Sequence, residues 1–262
     1  QLPGALGFYD LRLPEVRERQ SELAQQAGVE AFCYWHYWFG DGRRILERPF
    51  AEVLQSGTPS IKFCLGWANE SWTGIWHGAG DRILMEQRYP GRADDQAHFA
   101  TLLPAFWDDR YLTVAGRPLL HVYRPENLPS AAQFIDDWQK MATHAGLPGL
   151  YLVAGVSHRY RSFLQDGFDA AFWPRLPYEE GGRVQLLTRW RRRVRRQPLV
   201  RPYADKPLTS TLEGVDPDRL QPCVVTNWDN TPRSGRDGVV LTGASPERMR
   251  VHLRAATRAV QD

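Results

Sequence analysis

Cysteine is scarce in this chain: three residues among 262, Cys33, Cys64 and Cys223. They form no CxxC pair, and no Cys/His group has the spacing of a zinc finger, so a metal site of that kind is not expected. Each falls in a stretch that reads as a strand, where a buried thiol behaves as a small hydrophobe. An odd count of such thiols fits a reducing compartment such as the cytoplasm. No apolar run approaches the ~18 residues that a membrane span needs, and no secretory leader is visible in a chain that begins at Gln1. No GxGxxG or GxxxxGK[ST] follows any candidate strand, which removes the strongest sign of a nucleotide site, and no cofactor is expected. The net charge of +3 is too small to argue for a nucleic-acid partner.

What is present is ordinary globular composition, 42% hydrophobic and 24% charged, with an unusual supply of ten Trp and ten Tyr. Many of these rings stand at the ends of apolar runs, where they favour a ring-stacking site over core filling. Helices are expected at Pro14 to Ala27, Ile45 to Gln55, Ala93 to Trp107, Ala131 to Ala145, Tyr160 to Gln165 and Pro246 to Val260. The one at Ala131 sets Phe134, Ile135, Trp138 and Met141 on one side. Strands are expected at Val29 to Tyr37, Ile61 to Trp67, Pro118 to Tyr123, Leu150 to Val156, Phe168 to Trp173 and Pro222 to Asn227. A long loop joins Ala68 to Arg88, and a tight turn sits at Ala115-Gly116. This alternation of strand and helix points to a parallel sheet with helices outside it, either a closed (β/α) barrel or an open doubly wound sheet. No repeat or linker divides the chain, so one domain over 1–262 is expected.

The strand ends carry the chemistry that a barrel would gather on one rim. The first ends in Trp35-His36-Tyr37-Trp38 and the second in Trp67-Ala-Asn69-Glu70, with Trp72 just beyond. The third ends in Tyr123-Arg124, the fourth in Ser157-His158, the fifth in Trp173 and the sixth in Asn227-Trp228-Asp229-Asn230. Flat indole and phenol faces beside hydrogen-bonding groups suit the rings and hydroxyls of a sugar. Glu70 is the candidate catalytic carboxylate and Asp229 its reserve. His36, Tyr37, Trp67, Asn69, Trp72, Tyr123, Arg124, His158, Trp228, Asp229 and Asn230 are the candidate substrate-binding residues, and none is assigned to a metal. Plainer roles stand beside these: a core histidine at His36, an ion-pairing Arg124, an Asx turn at Asp229. The basic run Arg189 to Arg196 reads as a solvated helix or lid, or as a site for an anionic ligand detectable by steep salt dependence.

Five motifs carry a resemblance to a known family. Gly7-Phe-Tyr-Asp-Leu-Arg12, Phe32-Cys-Tyr-Trp-His-Tyr-Trp-Phe39, Leu65-Gly-Trp-Ala-Asn-Glu-Ser-Trp-Thr73, Arg117-Pro-Leu-Leu-His-Val-Tyr-Arg-Pro125 and Asn227-Trp-Asp-Asn-Thr-Pro-Arg233 are similar, in order, to the glycoside hydrolase family 99-like, WbsX-type proteins. The resemblance implies a (β/α)8 barrel, here with six of eight strands, and work on oligo- or polysaccharide, often in bacterial polysaccharide or O-antigen pathways. It implies an endo-acting hydrolase related to α-mannoside hydrolases. A glycosyltransferase and a non-catalytic glycan-binding module are the alternatives. Family members usually carry a Tyr-Leu-Pro-Gln-Phe-His-like strand before Gly7 and a Trp-Asn-Glu-Trp…Glu-Gly stretch after the last helix. Neither occurs between Gln1 and Asp262, so the chain is expected to lack the catalytic glutamate pair and to self-associate through open barrel edges. Glu70 is then either the essential carboxylate or a group that positions substrate.

Overall fold

The structure is a computed structural model that describes residues 6–74, 79–156, 162–173, 197–203 and 217–260. In chain order the first elements are α1 (Pro14–Gln26), β1 (Ala31–His36), α2 (Arg48–Ser56), β2 (Lys62–Trp67), β3 (Trp72–Gly74) and β4 (Ala79–Met85). Then come α3 (Arg92–Phe106), β5 (Thr113–Val114), β6 (Arg117–Val122), α4 (Ala131–His144), β7 (Tyr151–Gly155), α5 (Phe163–Asp166) and β8 (Ala170–Phe172). The last are β9 (Leu199–Pro202), β10 (Leu220–Gln221), α6 (Thr231–Ser234), β11 (Val239–Thr242) and α7 (Pro246–Arg258). Contacts divide the chain into two units. One comprises Gln1–Glu70, Gln87–Ala154 and Ser162–Asp169; the other comprises Ser71–Glu86, Gly155–Arg161 and Ala170–Asp262.

The first unit is a parallel sheet in the order β1-β2-β6-β7. Its register runs from Ala31 opposite Lys62 to His36 opposite Trp67, from Leu65 opposite Leu120 to Trp67 opposite Val122, and from Leu119 opposite Tyr151 to Val122 opposite Ala154. Parallel pairing requires a crossover between strands, and α2, α3 and α4 supply it. Because side chains alternate along a strand, Tyr34, His36, Leu65, Trp67, Leu120 and Val122 share the face that meets the helices. Cys33, Trp35, Cys64, Gly66 and His121 lie on the other face.

The helices start and stop where their termini demand. Pro14 occupies the first turn of α1, where its missing N–H costs nothing, and Ser130 caps α4 by accepting from the Gln133 amide at 3.2 Å. Gly57, at φ 72°, ends α2 in the left-handed conformation that residues with a Cβ avoid. Helix α4 buries Phe134, Ile135, Trp138 and Ala142, and Trp138 stacks on Trp67 with ring centroids 6.4 Å apart. Helix α1 is tied to α2 by the buried Arg17, which donates to Glu52 at 2.8 Å and to the Leu11 carbonyl at 2.7 Å.

Between β2 and β6 one side chain replaces a rung of the sheet. The first half of β2 pairs with 110–112: Phe63 N donates to the Arg110 carbonyl at 3.0 Å, and Leu112 N to the Phe63 carbonyl at 2.7 Å. Where that pairing ends, the buried Tyr111 hydroxyl accepts from Leu65 N at 3.1 Å and donates to the Leu119 carbonyl at 2.8 Å. The chain then reverses through Ala115 (φ 49°) and Gly116 (φ 77°), and β5 pairs antiparallel with β6. Two successive positive φ values are what a tight hairpin needs, as the Ala-Gly pair predicts.

In the second unit β8 and β10 pair in parallel, as do β9 and β11, and β3 and β4 form an antiparallel hairpin. That hairpin lies within the stretch expected to be loop, Ala68 to Arg88. The sixth expected strand, Pro222 to Asn227, is irregular chain with no strand pairing among the described residues, and the parallel pairing falls at Leu220–Gln221 instead. Cys223 is accordingly outside any strand, and Cys33 is exposed rather than buried. Helix α7 is capped by Ser245, which accepts from Arg248 N at 3.3 Å. Ser157, His158 and the basic run Arg189 to Arg196 lie outside the described residues. Among the described residues no helix is long and apolar enough to cross a membrane.

Candidate functional site

The strand ends of the first unit converge through Asn69. The Ala68 amide donates to the His36 carbonyl and the Tyr123 amide to the Trp67 carbonyl, each at 3.0 Å, so the chains leaving β1, β2 and β6 stay together past the sheet. Asn69, 0% exposed, then bridges two of them. Its Oδ1 accepts from Arg124 N at 2.7 Å, and its Nδ2 donates to the Arg124 carbonyl at 2.7 Å and to the Tyr89 hydroxyl at 3.2 Å. Asn127 Nδ2 and the Tyr89 hydroxyl both donate to the Asn69 carbonyl, at 3.1 and 3.2 Å. Both ends of the Asn69 amide are thus engaged by protein, and the residue fixes the positions of its neighbours Glu70 and Arg124.

Above this clamp runs a row of partly exposed groups. Trp35, 46% exposed, meets the Tyr123 ring edge-on with centroids 5.2 Å apart. The Arg124 guanidinium lies over the Tyr123 ring at 4.4 Å and donates through Nη2 to the Tyr123 hydroxyl at 3.3 Å. Its Nε donates to Glu70 Oε2 at 3.3 Å, and its Nη1 lies 3.9 Å from Glu126 Oε1. Burial works against the Arg124 charge, but Tyr123, Glu70 and Glu126 outweigh it and hold the guanidinium above its ordinary value. The Glu70 side chain remains 48% exposed. The row therefore offers two aromatic faces, one planar cation and a carboxylate open to solvent.

Two of the expected binding residues face the opposite way. His36 meets His98 of α3 with ring centroids 5.0 Å apart and rings nearly parallel, and their Nε2 atoms are hydrogen-bonded at 2.9 Å. Trp67, 1% exposed, meets His98 edge-on and donates through Nε1 to the Trp38 carbonyl at 3.1 Å. Trp38 closes this cluster by stacking on His98 with centroids 4.8 Å apart, its Nε1 donating to Asp94 at 2.9 Å. Burial pushes the His36 imidazole down to about 3, with Arg44 adding to the effect, and burial together with His36 and Arg44 holds His98 well below the usual range. His98 is a core histidine and His36 lies half-buried against it under the rim, because alternation along the strand sends Trp35 to one face and His36 to the other. Tyr37 stacks on Phe39 at 6.2 Å.

In the second unit Asp229 does turn-forming work. Its Oδ1 accepts from the Thr231 amide at 2.8 Å and the Thr231 hydroxyl at 2.6 Å, which starts α6. Asn230 Oδ1 accepts from Val239 N at 2.6 Å, and the Trp228 carbonyl accepts from Leu241 N at 2.8 Å. Trp72 pairs with Met85 in the β3–β4 hairpin and is partly exposed.

A model of the family described as Glycosyltransferase WbsX matches residues 1–262. The chain belongs to the WbsX family. It is 36% identical over 263 residues to the uncharacterized protein WxcX of Xanthomonas campestris pv. campestris (strain B100), a match covering 95% of this chain and 36% of that protein. The same figures hold for WxcX of strain ATCC 33913. The chain thus spans about a third of the length of the curated relatives it matches. Among solved structures it is similar to a glycoside hydrolase-like protein, with TM-score 0.61 and 12% identity over 99% of this chain and 76% of that one. It is also similar to the GH99 endo-alpha-mannosidase from Bacteroides thetaiotaomicron, with TM-score 0.51 and 11% identity over 98% of this chain and 67% of that one. These likenesses show the fold of the WbsX chain, the (β/α) barrel class that the family resemblance implied and that the alternation of strand and helix left open beside a doubly wound sheet.

Two groups in the WbsX chain's rim escaped the sequence reading. Glu126 follows Arg124-Pro125 at the end of β6, and its position two residues past a strand-end arginine was the available signal. Trp35 was visible only as part of an aromatic string, and register alone distinguishes it from His36. A third group, Cys33, Cys64 and His121, places one ligand atom from each side chain within 4.8 Å of the others. Spacings of 31 and 57 residues hide such a cluster from any motif.

Proposed function

We propose that this chain is the glycan-handling part of a carbohydrate-active protein and that its chemistry is cleavage of a glycosidic bond. The observation that carries this is the continuous row Trp35, Tyr123, Arg124 and Glu70, each in contact with the next and the ends open to solvent. A sugar ring laid against Trp35 and Tyr123 covers apolar C–H faces, while Arg124 and Glu70 reach its hydroxyls. Asn69 holds the last two in place. Glu70 is the carboxylate assigned to the reacting sugar. A glycosidase needs a second carboxyl group, about 5–5.5 Å away in a retaining enzyme, and Glu126, which also faces Arg124, is the candidate for it. The family description favours a second reading, transfer from a nucleotide-sugar donor. Under both readings the protein works in bacterial polysaccharide or O-antigen metabolism in the cytoplasm, with self-association through open barrel edges, such as the side of β1 that has no partner strand among the described residues, as a further expectation.

Titration calorimetry with an α-mannoside oligosaccharide, paired with release of reducing ends, tests the proposal. Glu70→Gln is expected to keep affinity within a few-fold and to abolish release. Unchanged release removes Glu70 from the chemistry. Binding of a sugar nucleotide in place of the oligosaccharide supports the transferase reading, and binding with no turnover in the parent chain leaves a glycan-binding module.

A further inference from the structure

Cys33, Cys64 and His121 stand on three adjacent strands, β1, β2 and β6, on the sheet face turned away from the helices. Cys33 and Cys64 are direct register partners, so their thiols lie on the same face of neighbouring strands. His121 is the register partner of Gly66, two residues beyond Cys64 on the same face, so its longer side chain reaches back diagonally. One ring nitrogen of His121 and the two Sγ atoms all lie within 4.8 Å of one another. Gly66 is what leaves room for them: a Cβ there would come within 3.2 Å of Cys33 Sγ and of the Trp35 ring. Cys64 is buried, His121 is half-buried and Cys33 is exposed, so the cluster opens to solvent through Cys33.

Two thiols and an imidazole form the donor set of a thiophilic, borderline-soft cation. Zinc–sulfur and zinc–nitrogen bonds of ~2.3 and ~2.0 Å in a tetrahedron set the ligand atoms about 3.5–3.8 Å apart. The observed limit of 4.8 Å lies roughly an ångström outside that range. We propose that Cys33, Cys64 and His121 bind a zinc-class divalent cation, with water as the fourth ligand on the open Cys33 side. Binding releases the two thiol protons to solvent and changes no oxidation state. The site lies two residues before Trp35 on β1 and two before Tyr123 on β6, so it braces the strands that present the aromatic rim. It does not depend on the glycan reading.

Cobalt(II) reports such a site by colour. The protein, reduced with a phosphine and freed of metal by a chelator, is titrated with Co2+ and followed in the visible and near ultraviolet. One equivalent is expected to give the intense visible bands of four-coordinate cobalt with a sulfur-to-cobalt charge-transfer band, both bleached by one equivalent of Zn2+. Cys33→Ser and His121→Gln are expected to lose the charge-transfer intensity in part and the tetrahedral spectrum in full, while Cys223→Ser keeps both. A weak six-coordinate spectrum overturns the proposal, as does a spectrum unchanged in Cys33→Ser or one lost in Cys223→Ser. Cys33 is exposed, so its serine variant retains the fold and decides the matter if His121→Gln does not fold.

Discussion

Asn69 and Arg124 exchange two hydrogen bonds of 2.7 Å, the side-chain amide of one with the backbone N–H and carbonyl of the other. The amide of Asn69 thereby continues the β2–β6 ladder by one rung beyond Trp67 and Val122, where the backbones part. A side chain at this place does what a peptide group does in the sheet, and it sets the spacing between Glu70 and Arg124.

Asn69→Ala leaves the Arg124 N–H without its side-chain partner and takes one of two donors from the Arg124 carbonyl, which keeps the Asn127 N–H at 3.0 Å. The expected cost is about 2–4 kcal/mol of stability, read as a shift in the urea midpoint. Glycan affinity falls with it, because Glu70 and Arg124 lose their fixed separation. A variant with full stability and full affinity would show that the clamp holds nothing.

The aromatic rim separates stacking from hydrogen bonding. Tyr123→Phe keeps the ring that faces Trp35 and carries Arg124, so glycan affinity is expected to change by a few-fold at most. Trp35→Ala removes an exposed face, and roughly 1–2 kcal/mol, about five- to thirty-fold in Kd, should go with it. Calorimetry on both variants checks the contrast.

Arg124→Lys keeps the charge but not the plane. A lysine ammonium cannot lie over Tyr123 while also donating to Glu70 in a fixed fork. The expected result is about a tenfold loss of glycan affinity with little change in melting temperature. An affinity equal to the parent's would reduce Arg124 to a simple counter-charge.

Tyr111→Phe removes one oxygen that serves both Leu65 N and the Leu119 carbonyl. Two buried backbone groups lose a partner, for a cost of about 2 kcal/mol or more. Amide hydrogen exchange at Leu65 is the direct measurement, and its protection should fall well ahead of that of Trp67.

The pair His36 and His98 makes stability fall in acid. The folded His36 value of about 3 lies below its ordinary 6.5, so the unfolded chain takes up a proton first as pH drops. Below pH 6.5 this destabilises the fold by about 1.4 kcal/mol per pH unit, down to about pH 3. Protonating both rings would also set two N–H groups against each other across 2.9 Å. His36→Gln should flatten the slope of stability against pH between 6.5 and 4, and an unchanged slope would assign the acid sensitivity to other groups.

Much of the architecture follows from local pattern. Apolar runs buried on both faces, such as Phe63 to Trp67 and Leu152 to Val156, and helical spacing in 131–144 are set by neighbours a few residues apart, and a sequence displays them directly. The strand ends were legible for the same reason, which is why Tyr123, Arg124 and Glu70 are found together. The β3–β4 hairpin and the displaced sixth strand were not legible, because short strands owe their existence to partners far along the chain.

The sequence by itself determined the alternation of strand and helix, the aromatic strand ends and membership of the WbsX family. Tertiary structure alone decided which side of each strand a residue serves. A shift of one residue moves a side chain to the other face of a sheet, so the string Trp35-His36 carries no sign of which ring is exposed. Register put Trp35 beside Tyr123 and turned His36 toward His98. It also brought Cys33, Cys64 and His121 together from three strands, an association of residues that no spacing in the sequence encodes.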